Sequence, residues 1–219
     1  MDSENVSTVF VVDAEAATRN AIVGLVKSKG VAVEACASAE EFLRRHDSAQ
    51  RGCIILQLPA ADEPALAPLL ALKQRKFRLP VIVLAAAANV PLAVKAMQAG
   101  AFSFLQAPPS DVELASAIEQ ALERNRANYL HQQDTIETES RLASLTADEL
   151  EVFRRLLAGH ANKRIASDLD IGLRTVELRR SNIMKKMQAT SLPDLVRMAI
   201  LLDLLSISRP LSPLSAGTT

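Results

Sequence analysis

The sequence predicts an α/β domain built on a five-stranded parallel sheet, followed by a smaller all-α domain. Over the first 106 residues, five short apolar runs alternate with helical patterns. A long helical pattern comes next, and the chain then stays helical, with two short helices joined by a tight turn. At 219 residues the chain is long enough for one or two domains that each bury a core.

The apolar runs of the first domain are mostly continuous rather than alternating, as expected for parallel strands that are covered on both faces. They occupy residues 9–12, 31–36, 53–56, 81–84 and 102–105. Helical patterns lie between them at residues 18–29, 38–45, 64–76 and 91–99. Ser38 followed by Glu41 has the spacing of a capping box. Five strands separated by helices predict right-handed crossovers and an open doubly wound sheet.

Residues 111–141 are predicted to form one long helix that leads to the second domain. Six of its positions recur at spacings of four and three, a heptad seam that is weak because two of them are amides. Two interpretations remain open, a solvated connector helix and a dimeric coiled coil. The seam positions are Ile118, Leu122, Asn125, Tyr129, Gln132 and Ile136.

Two short helices joined by a turn are predicted over residues 162–187. The first helix places Ile165, Ala166 and Leu169 on one face. In the turn, Ile171 is expected to fill the gap between the helices and Gly172 to adopt the turn dihedrals. The second helix has an apolar side and a basic outer face, which reading of a DNA major groove requires. Its apolar side consists of Val176, Ile183 and Met187.

Two further helices are predicted to flank this pair. Thr146 followed by Glu149 forms a second capping-box pattern ahead of an apolar helix. The last helix begins after Ser191, with Pro193 in its first turn, and it is apolar nearly all round, which suggests a partner surface. Residues 207–219 are rich in Ser, Pro and Thr and are expected to be disordered.

The net charge of the chain is zero, but its distribution favours polyanion binding at one end. Residues 141–219 carry 12 Lys and Arg against 8 Asp and Glu, a net charge of +4. Residues 111–140 carry 2 against 7, and residues 1–110 carry 11 against 10. A basic carboxyl-terminal domain therefore follows an acidic segment.

Other features of the composition narrow the class of protein. No apolar stretch approaches the roughly 18 residues of a membrane span, and the polar amino terminus lacks a signal-peptide pattern. A cytoplasmic protein is therefore expected. Cys36 and Cys53 lie in strand-like runs, which favours buried thiols over a redox switch. The scattered histidines form no nucleophile–base pair and no metal-ligand cluster, so neither an enzyme nor a metal or cofactor site is predicted.

Residues 162–187 resemble the helix-turn-helix of LuxR-type regulators, in the arrangement found in FixJ-like response regulators. Segments of the first domain resemble the receiver domain of the same subgroup. These segments are VVDAEAATRN, CASAEEFLRR, GCIILQL and LPVIVLAAAANVPLAVKAMQAGAFSFLQAPP. The resemblance implies a flavodoxin-like receiver with strand order 2-1-3-4-5 and a cleft at the carboxyl ends of the strands. It implies a receiver core at 6–110, a final receiver helix and linker at 111–141, and a four-helix LuxR-type domain at 142–206.

The receiver pocket departs from the family pattern at most positions. A working receiver needs an acceptor aspartate, an acidic pair for magnesium, a hydroxyl group and a lysine. The acceptor position holds Gln57, whose amide cannot become an aspartyl phosphate. The sequence therefore predicts a pseudo-receiver, whose emptier pocket either accepts a small ligand or collapses. The other pocket positions hold Asp13, Ala14 (with Glu15 following), Ala85, Phe104, Ala107 and, at the proline that follows a cis peptide in the family, Pro108.

The resemblance places the helix from Arg174 to Met187 in the major groove, with Glu177, Leu178 and Ser181 facing the bases. Glu177 can accept from a cytosine amino group and Leu178 can meet a thymine methyl, although an intrahelical pair of Glu177 with Arg174 or Arg180 is the alternative. Arg174 belongs to the DNA-binding set, and phosphate contacts are expected from Asn162, Lys163, Thr175, Arg179 and Lys185. Loss of Arg179 should weaken binding to all sequences alike.

Pairing of two modules is expected through the last helix, at Leu195, Met198 and Leu202. The predicted function is a bacterial transcriptional regulator that binds double-stranded DNA, expected to be an inverted repeat, as a homodimer and without aspartyl phosphorylation. A modulating protein partner is a candidate for the signal. The alternative is an interaction protein that pairs with a true response regulator and does not act on DNA. Phosphorylation of another side chain is the remaining variant.

Overall fold

The computed structural model describes residues 7–47, 50–59, 63–75, 77–86 and 90–204. The chain divides into two compact units, Met1–Leu130 and His131–Thr219. Every helix in the described ranges is too short or too polar to cross a membrane. The tail predicted to be disordered, residues 207–219, lies outside the described residues.

The first unit contains the predicted parallel sheet, with the strands in the order β2-β1-β3-β4-β5. This confirms both the five strands and the expected 2-1-3-4-5 topology. The strands are β1 (Thr8–Val12), β2 (Ala32–Cys36), β3 (Gly52–Gln57), β4 (Val81–Ala85) and β5 (Ser103–Gln106). The helices are α1 (Ala16–Ser28), α2 (Ala39–Arg45), α3 (Ala67–Gln74, after a 3₁₀ turn over Glu63–Leu66), α4 (Val90–Gln98) and α5 (Asp111–Ala143).

Alternate residues of the sheet pack into two apolar layers, one on each face. The first layer includes Phe10, Ile54 and Val83, and the second includes Val11, Ile55 and Ile82. The three central strands are buried on both faces as predicted, but the edge strands β2 and β5 are partly exposed. The expectation of complete covering is therefore wrong for the edges, because an edge strand lacks a neighbour on one side.

α5 is one continuous helix as predicted, but its first four turns pack on the sheet. Ile118 is buried in the second apolar layer. The Oδ1 atom of Asn125, which is buried, accepts a hydrogen bond from the backbone N of Gly52 at 3.0 Å. The guanidinium of Arg51 lies 3.3 Å from the ring centroid of Tyr129. Ile118, Asn125 and Tyr129 therefore make contacts within the receiver unit, whereas Ile136 is 56% exposed. The coiled coil and the solvated connector both stay predictions for the later positions.

The second unit continues with four helices around one core: α6 (Ala147–Leu157), α7 (Asn162–Asp168), α8 (Leu173–Met187) and α9 (Leu192–Leu201). The capping box of Thr146 and Glu149 is confirmed, since both of its hydrogen bonds are present. α9 begins after Ser191, whose hydroxyl accepts from the backbone N of Asp194. The core includes Val152, Phe153, Leu156, Ile165, Val176, Ile183, Met187, Leu195, Met198 and Ala199.

The turn between α7 and α8 differs from the prediction in one respect. Gly172 has an ordinary φ of −65°, whereas Asp170 has a φ of 52° in the left-handed region. The backbone N of Ile171 donates to the carbonyl of Ala166 at 3.0 Å, which closes the end of α7. The reversal therefore comes at the end of α7, where a short polar side chain tolerates left-handed dihedrals. Ile171 packs against the core, as expected.

Candidate nucleic-acid interface and the sheet-end cleft

A cleft of about 130 Å³ opens at the carboxyl ends of β1 and β3. Because Val12 pairs in register with Leu56, Asp13 and Gln57 follow on adjacent strands and lie at the same edge of the sheet. The walls are mostly apolar. They consist of Val12, Asp13, Ala14, Ala37, Ser38, Ala39, Glu40, Leu56, Gln57, Pro59 and Pro68.

The carboxylate of Asp13 is buried and is engaged by its own chain. Its Oδ1 atom accepts from the backbone N of Glu15 at 2.9 Å, and its Oδ2 atom accepts from the hydroxyl of Thr18. Nη1 of Arg19 donates to the backbone carbonyl of Asp13 at 2.6 Å. Both carboxylate oxygens thus hold the start of α1. To bind a cation with all of its oxygen lone pairs, the carboxylate would have to give up these hydrogen bonds.

Gln57 and Ala85 bring neither a carboxylate nor a hydroxyl group to this end of the sheet. Gln57 Nε2 makes only a long contact of 3.4 Å to the carbonyl of Leu58. Ala85 is fully buried, and its carbonyl accepts from the backbone N of Ala107 at 2.8 Å. In the described part of the chain, neither alanine is among the residues that line this cleft. The methyl of Ala85 is instead packed in the core.

Two further predictions concern the same end of the sheet. The peptide bond between Ala107 and Pro108 is cis, as the resemblance implied. Phe104 is partly buried against the first apolar layer. In the ranges that the structure describes, no three His, Cys, Asp or Glu side chains come together in a group that could hold a metal ion.

α8 has the two faces that the sequence predicted. Val176, Ile183 and Met187 are fully buried against the other helices. The opposite side is exposed, and at its centre Leu178 keeps 62% of its surface accessible. Positions separated by three and four residues form this outer face. They are Arg174, Glu177, Leu178, Ser181 and Lys185.

Glu177 is exposed on the outer face of α8. Among the described residues it makes no ion pair with Arg174 or Arg180, so the alternative interpretation of Glu177 is not supported. Nη1 of Arg180 instead donates to Oδ1 of Asn162 at 3.1 Å, linking α8 to α7. The amide oxygen of Asn162 is therefore occupied by Arg180. Lys163 is exposed at the start of α7.

Two cations of α8 are bound by consecutive acids of α6. The guanidinium of Arg179 donates to the carboxylate of Asp148. Lys186 Nζ donates to Oε2 of Glu149 at 2.6 Å and to the carbonyl of Ser144 at 3.1 Å. Arg179, for which the sequence predicts a phosphate contact, is therefore paired with Asp148 in this structure. Thr175, one turn before Arg179 on the same flank, is partly buried.

Glu149 is the most buried acid of this unit. Burial by itself raises the pKa of its carboxyl, but hydrogen bonds from Lys186 and from the backbone of Thr146 outweigh burial, and the pKa lies below its ordinary value. A charged Glu149 therefore fastens α8 to the start of α6.

Two of the three residues predicted to pair two modules lie in the core of the unit rather than on its surface. Leu195 is fully buried and Met198 nearly so, both in the core of the unit. The prediction is wrong for these two residues because positions 195, 198 and 199 form the inward stripe of the helix. Leu202 is partly buried after the end of α9. Ile200 is the outward apolar residue, with 63% of its surface exposed.

The sequence is similar to two described families. Residues 143–199 match the bacterial regulatory proteins of the luxR family, and residues 9–119 match the response regulator receiver domain. The transcriptional regulatory protein FixJ of Rhizobium meliloti (strain 1021) is 39% identical over 193 residues, which are 88% of this chain and 95% of FixJ. The transcriptional regulatory protein TdiR of Thauera aromatica is 35% identical over 88% of this chain and 85% of TdiR.

Solved structures agree with this relationship. The response regulator StyR is 32% identical and superposes with a TM-score of 0.77, covering 89% of this chain and 98% of StyR. Full-length FixJ from B. japonicum is 34% identical, with a TM-score of 0.51 over 91% of this chain and 98% of FixJ.

Proposed function

Because this chain belongs to the FixJ-like, LuxR-type two-component response regulators, which are DNA-binding transcription factors rather than enzymes, we propose that it controls transcription without aspartyl phosphorylation. Residues 6–110 act as a pseudo-receiver, residues 111–141 as its last helix and linker, and residues 142–206 as the DNA-binding module. The protein acts in the bacterial cytoplasm, where its DNA target lies.

The observation that carries the proposal is the amide of Gln57 at the carboxyl end of β3. An amide is a poor nucleophile and forms no acyl phosphate. The neighbouring carboxylate of Asp13 accepts hydrogen bonds from the backbone N of Glu15 and the hydroxyl of Thr18. It is therefore not available as one of the clustered carboxylates that would bind the magnesium ion needed for phosphoryl transfer. Ala107 carries no ammonium group to stabilise a phosphorylated state. Phosphoryl transfer at this cleft is therefore absent, while the receiver fold is retained.

DNA recognition is proposed for the outer face of α8. Glu177, Leu178 and Ser181 read base edges, while Lys163, Lys185 and Arg174 neutralise phosphates. The NH₂ group of Asn162 and the hydroxyl of Thr175 add neutral donors to the phosphate contacts. Two modules bind an inverted repeat as a homodimer, because a two-fold protein pair matches a two-fold site. The contact between modules is expected on the outward side of α9, near Ile200 and the following Leu202.

A protein partner is proposed to supply the signal that phosphate no longer supplies. The outer face of α4 supports this proposal, because Val90, Val94 and Met97 are exposed at spacings of four and three. Exposed apolar side chains on one helix face are typical of interaction surfaces. If this surface alone were functional, the protein would modulate another response regulator rather than bind DNA, which is the alternative function.

Treatment with acetyl phosphate and Mg²⁺, followed by intact-mass measurement, tests the loss of phosphotransfer. We expect no phosphoryl adduct on the wild-type protein, and a response regulator with a complete acidic pocket treated in parallel serves as the positive control. The variant Gln57→Asp should also remain largely unmodified, because Ala14 and Ala107 still withhold a magnesium ligand and the ammonium group. A stable phosphoryl adduct on the wild-type protein that changes its DNA affinity would refute the proposal.

A further inference from the structure

The ion pair between Asp148 and Arg179 joins the first turn of α6 to the flank of α8. The guanidinium donates to the carboxylate, and the two side chains differ in exposure. The side chain of Arg179 is 22% exposed, whereas that of Asp148 is 67% exposed. The acid therefore stands on the solvent side of the pair, beside the outer face of α8.

Lys186 lies two turns after Arg179 on the same flank and binds the adjacent acid, Glu149. The two acids have different surroundings. Glu149 is buried and also caps α6 through the backbone of Thr146, so its role is structural. Asp148 is exposed and, in the part of the chain that the structure describes, its side chain is bound by Arg179 alone. Besides this pair, its carboxylate lies in the first turn of α6, where a negative charge also suits the helix dipole.

Arg179 is next to Leu178, the most exposed apolar residue of the groove-facing side. A phosphate that follows this edge of the groove has to displace the carboxylate of Asp148 to reach the guanidinium. While Arg179 stays paired with Asp148, it neutralises no phosphate and therefore contributes no release of counterions from the DNA. The exposed carboxylate also repels the phosphate.

We propose that Asp148 is a negative determinant of DNA affinity, which competes with the phosphate backbone for Arg179. The inference rests on the proposed placement of α8 in the major groove. Its effect is independent of sequence, because phosphate contacts position a protein without reading bases. In a regulator that is not switched off by loss of a phosphoryl group, such a residue limits the share of protein held on non-operator DNA.

The opposite role is that Asp148 orients Arg179 toward a phosphate. The two roles predict opposite effects for Asp148→Asn, which keeps the shape of the side chain and removes its charge. Competition predicts tighter binding in the variant, whereas orientation predicts weaker binding. The two roles also predict different effects for Arg179→Ala. The substitution changes DNA affinity little if Asp148 occupies the arginine, and it lowers DNA affinity strongly if the arginine already contacts DNA.

The test is a salt series of duplex binding by the full-length protein, with a selected site and a random duplex of equal length. Asp148→Asn should tighten binding to both duplexes by roughly two- to fivefold at low salt, the range expected when one partly exposed ion pair no longer competes. The dependence of log K on log salt should steepen by about 0.9 for each bound module. Glu137→Gln is the matched control, since it removes one exposed acid that pairs with Arg141.

Arg179→Ala should change wild-type affinity by less than roughly twofold, consistent with a weak exposed pair, and should cancel the gain in the Asp148→Asn background. Unchanged or weaker binding by Asp148→Asn overturns the inference, as does a gain of the same size in Glu137→Gln.

Lys185→Ala separates this inference from the proposed interface. Lys185 is exposed on the outer face of α8 and pairs with no acid among the described residues, so its loss should flatten the salt dependence by about 0.9 per module. If Lys185→Ala has no effect, the placement of α8 in the groove is wrong. If Lys185→Ala weakens binding and Asp148→Asn leaves it unchanged, only the competition is wrong.

Discussion

Replacement of Glu149 by glutamine should loosen the attachment of α8 to α6 while leaving the start of α6 capped. Oε2 of Glu149 accepts from Lys186 Nζ at 2.6 Å and from the backbone N of Thr146 at 2.9 Å. A glutamine oxygen can still accept from Thr146, since glutamine also occurs in capping boxes. The variant therefore removes the charge and little else.

The size of the effect follows from the burial of the pair. Hydrogen bonds to charged groups contribute about 1.5–3 kcal/mol when buried. The Lys186 side chain is 35% exposed and can turn to water when its partner is lost. We therefore expect a loss of about 1–2 kcal/mol in the free energy of unfolding of this unit, below the middle of that range because Lys186 is partly exposed.

Amide hydrogen exchange read by mass spectrometry is the suitable assay. The chain has no tryptophan, and its one tyrosine, Tyr129, lies in the other unit, so intrinsic fluorescence does not report on α6 or α8. A loss of this size corresponds to exchange about 5 to 30 times faster in peptides from both helices.

Glu151→Gln on the same helix is the control, since its partners Arg154 and Arg155 are surface residues and its loss should cost under about 0.5 kcal/mol. Unchanged exchange in Glu149→Gln, or equal changes in both variants, would refute the reasoning.

The lowered pKa of Glu149 also predicts how the difference in stability depends on pH. Stabilisation by its charge is present above the ordinary value of 4.5 and is lost as the pH falls through the lower folded-state pKa, so acid should reduce the difference between wild type and Glu149→Gln.

Two further substitutions test the fold and the module surface. Gly52→Ala should destabilise the receiver unit by roughly 2–4 kcal/mol in thermal unfolding, the range for severe strain, because a Cβ atom there would lie 1.7 Å from the carbonyl oxygen of Thr8. Gly24→Ala, in α1 with open space around it, is the control and should be neutral or slightly stabilising; equal stability of the two variants would contradict the strain. Ile200→Asp should abolish paired binding to an inverted repeat in a gel-shift assay while the module stays folded, whereas Leu195→Asp should unfold it. Retention of paired binding in Ile200→Asp would remove this side of α9 from the interface.

Local patterns in the sequence were sufficient to predict most of the fold. The strands and the helix starts at Thr146 and Ser191 follow from periodicity and from capping residues that act within a few positions. The strand order follows from the resemblance to the receiver family. The two faces of α8 follow from the same periodicity. The departures from the family pattern at Gln57 and Ala107 could be predicted because the resemblance identifies which positions carry the receiver's functional residues.

Contacts between distant segments could not be predicted in this way. Asn125 was read as a seam position, since its bond to Gly52 joins residues 73 positions apart. The pair of Arg179 with Asp148 joins residues 31 positions apart, and nothing near Arg179 in the sequence indicates this partner. α9 is apolar nearly all round, so its pattern did not show that Leu195 faces inward. Each of these outcomes was decided by packing between elements.

The measurement that tests the central claim most directly is binding of the untreated full-length protein to a pool of genomic fragments, with no phosphodonor present, at two salt concentrations. The account predicts enrichment of related inverted repeats, with binding that weakens as salt rises but keeps its sequence preference. Binding that appears only after treatment with a phosphodonor would contradict phosphorylation-independent action, and salt-sensitive binding without any preferred sequence would contradict base reading by α8.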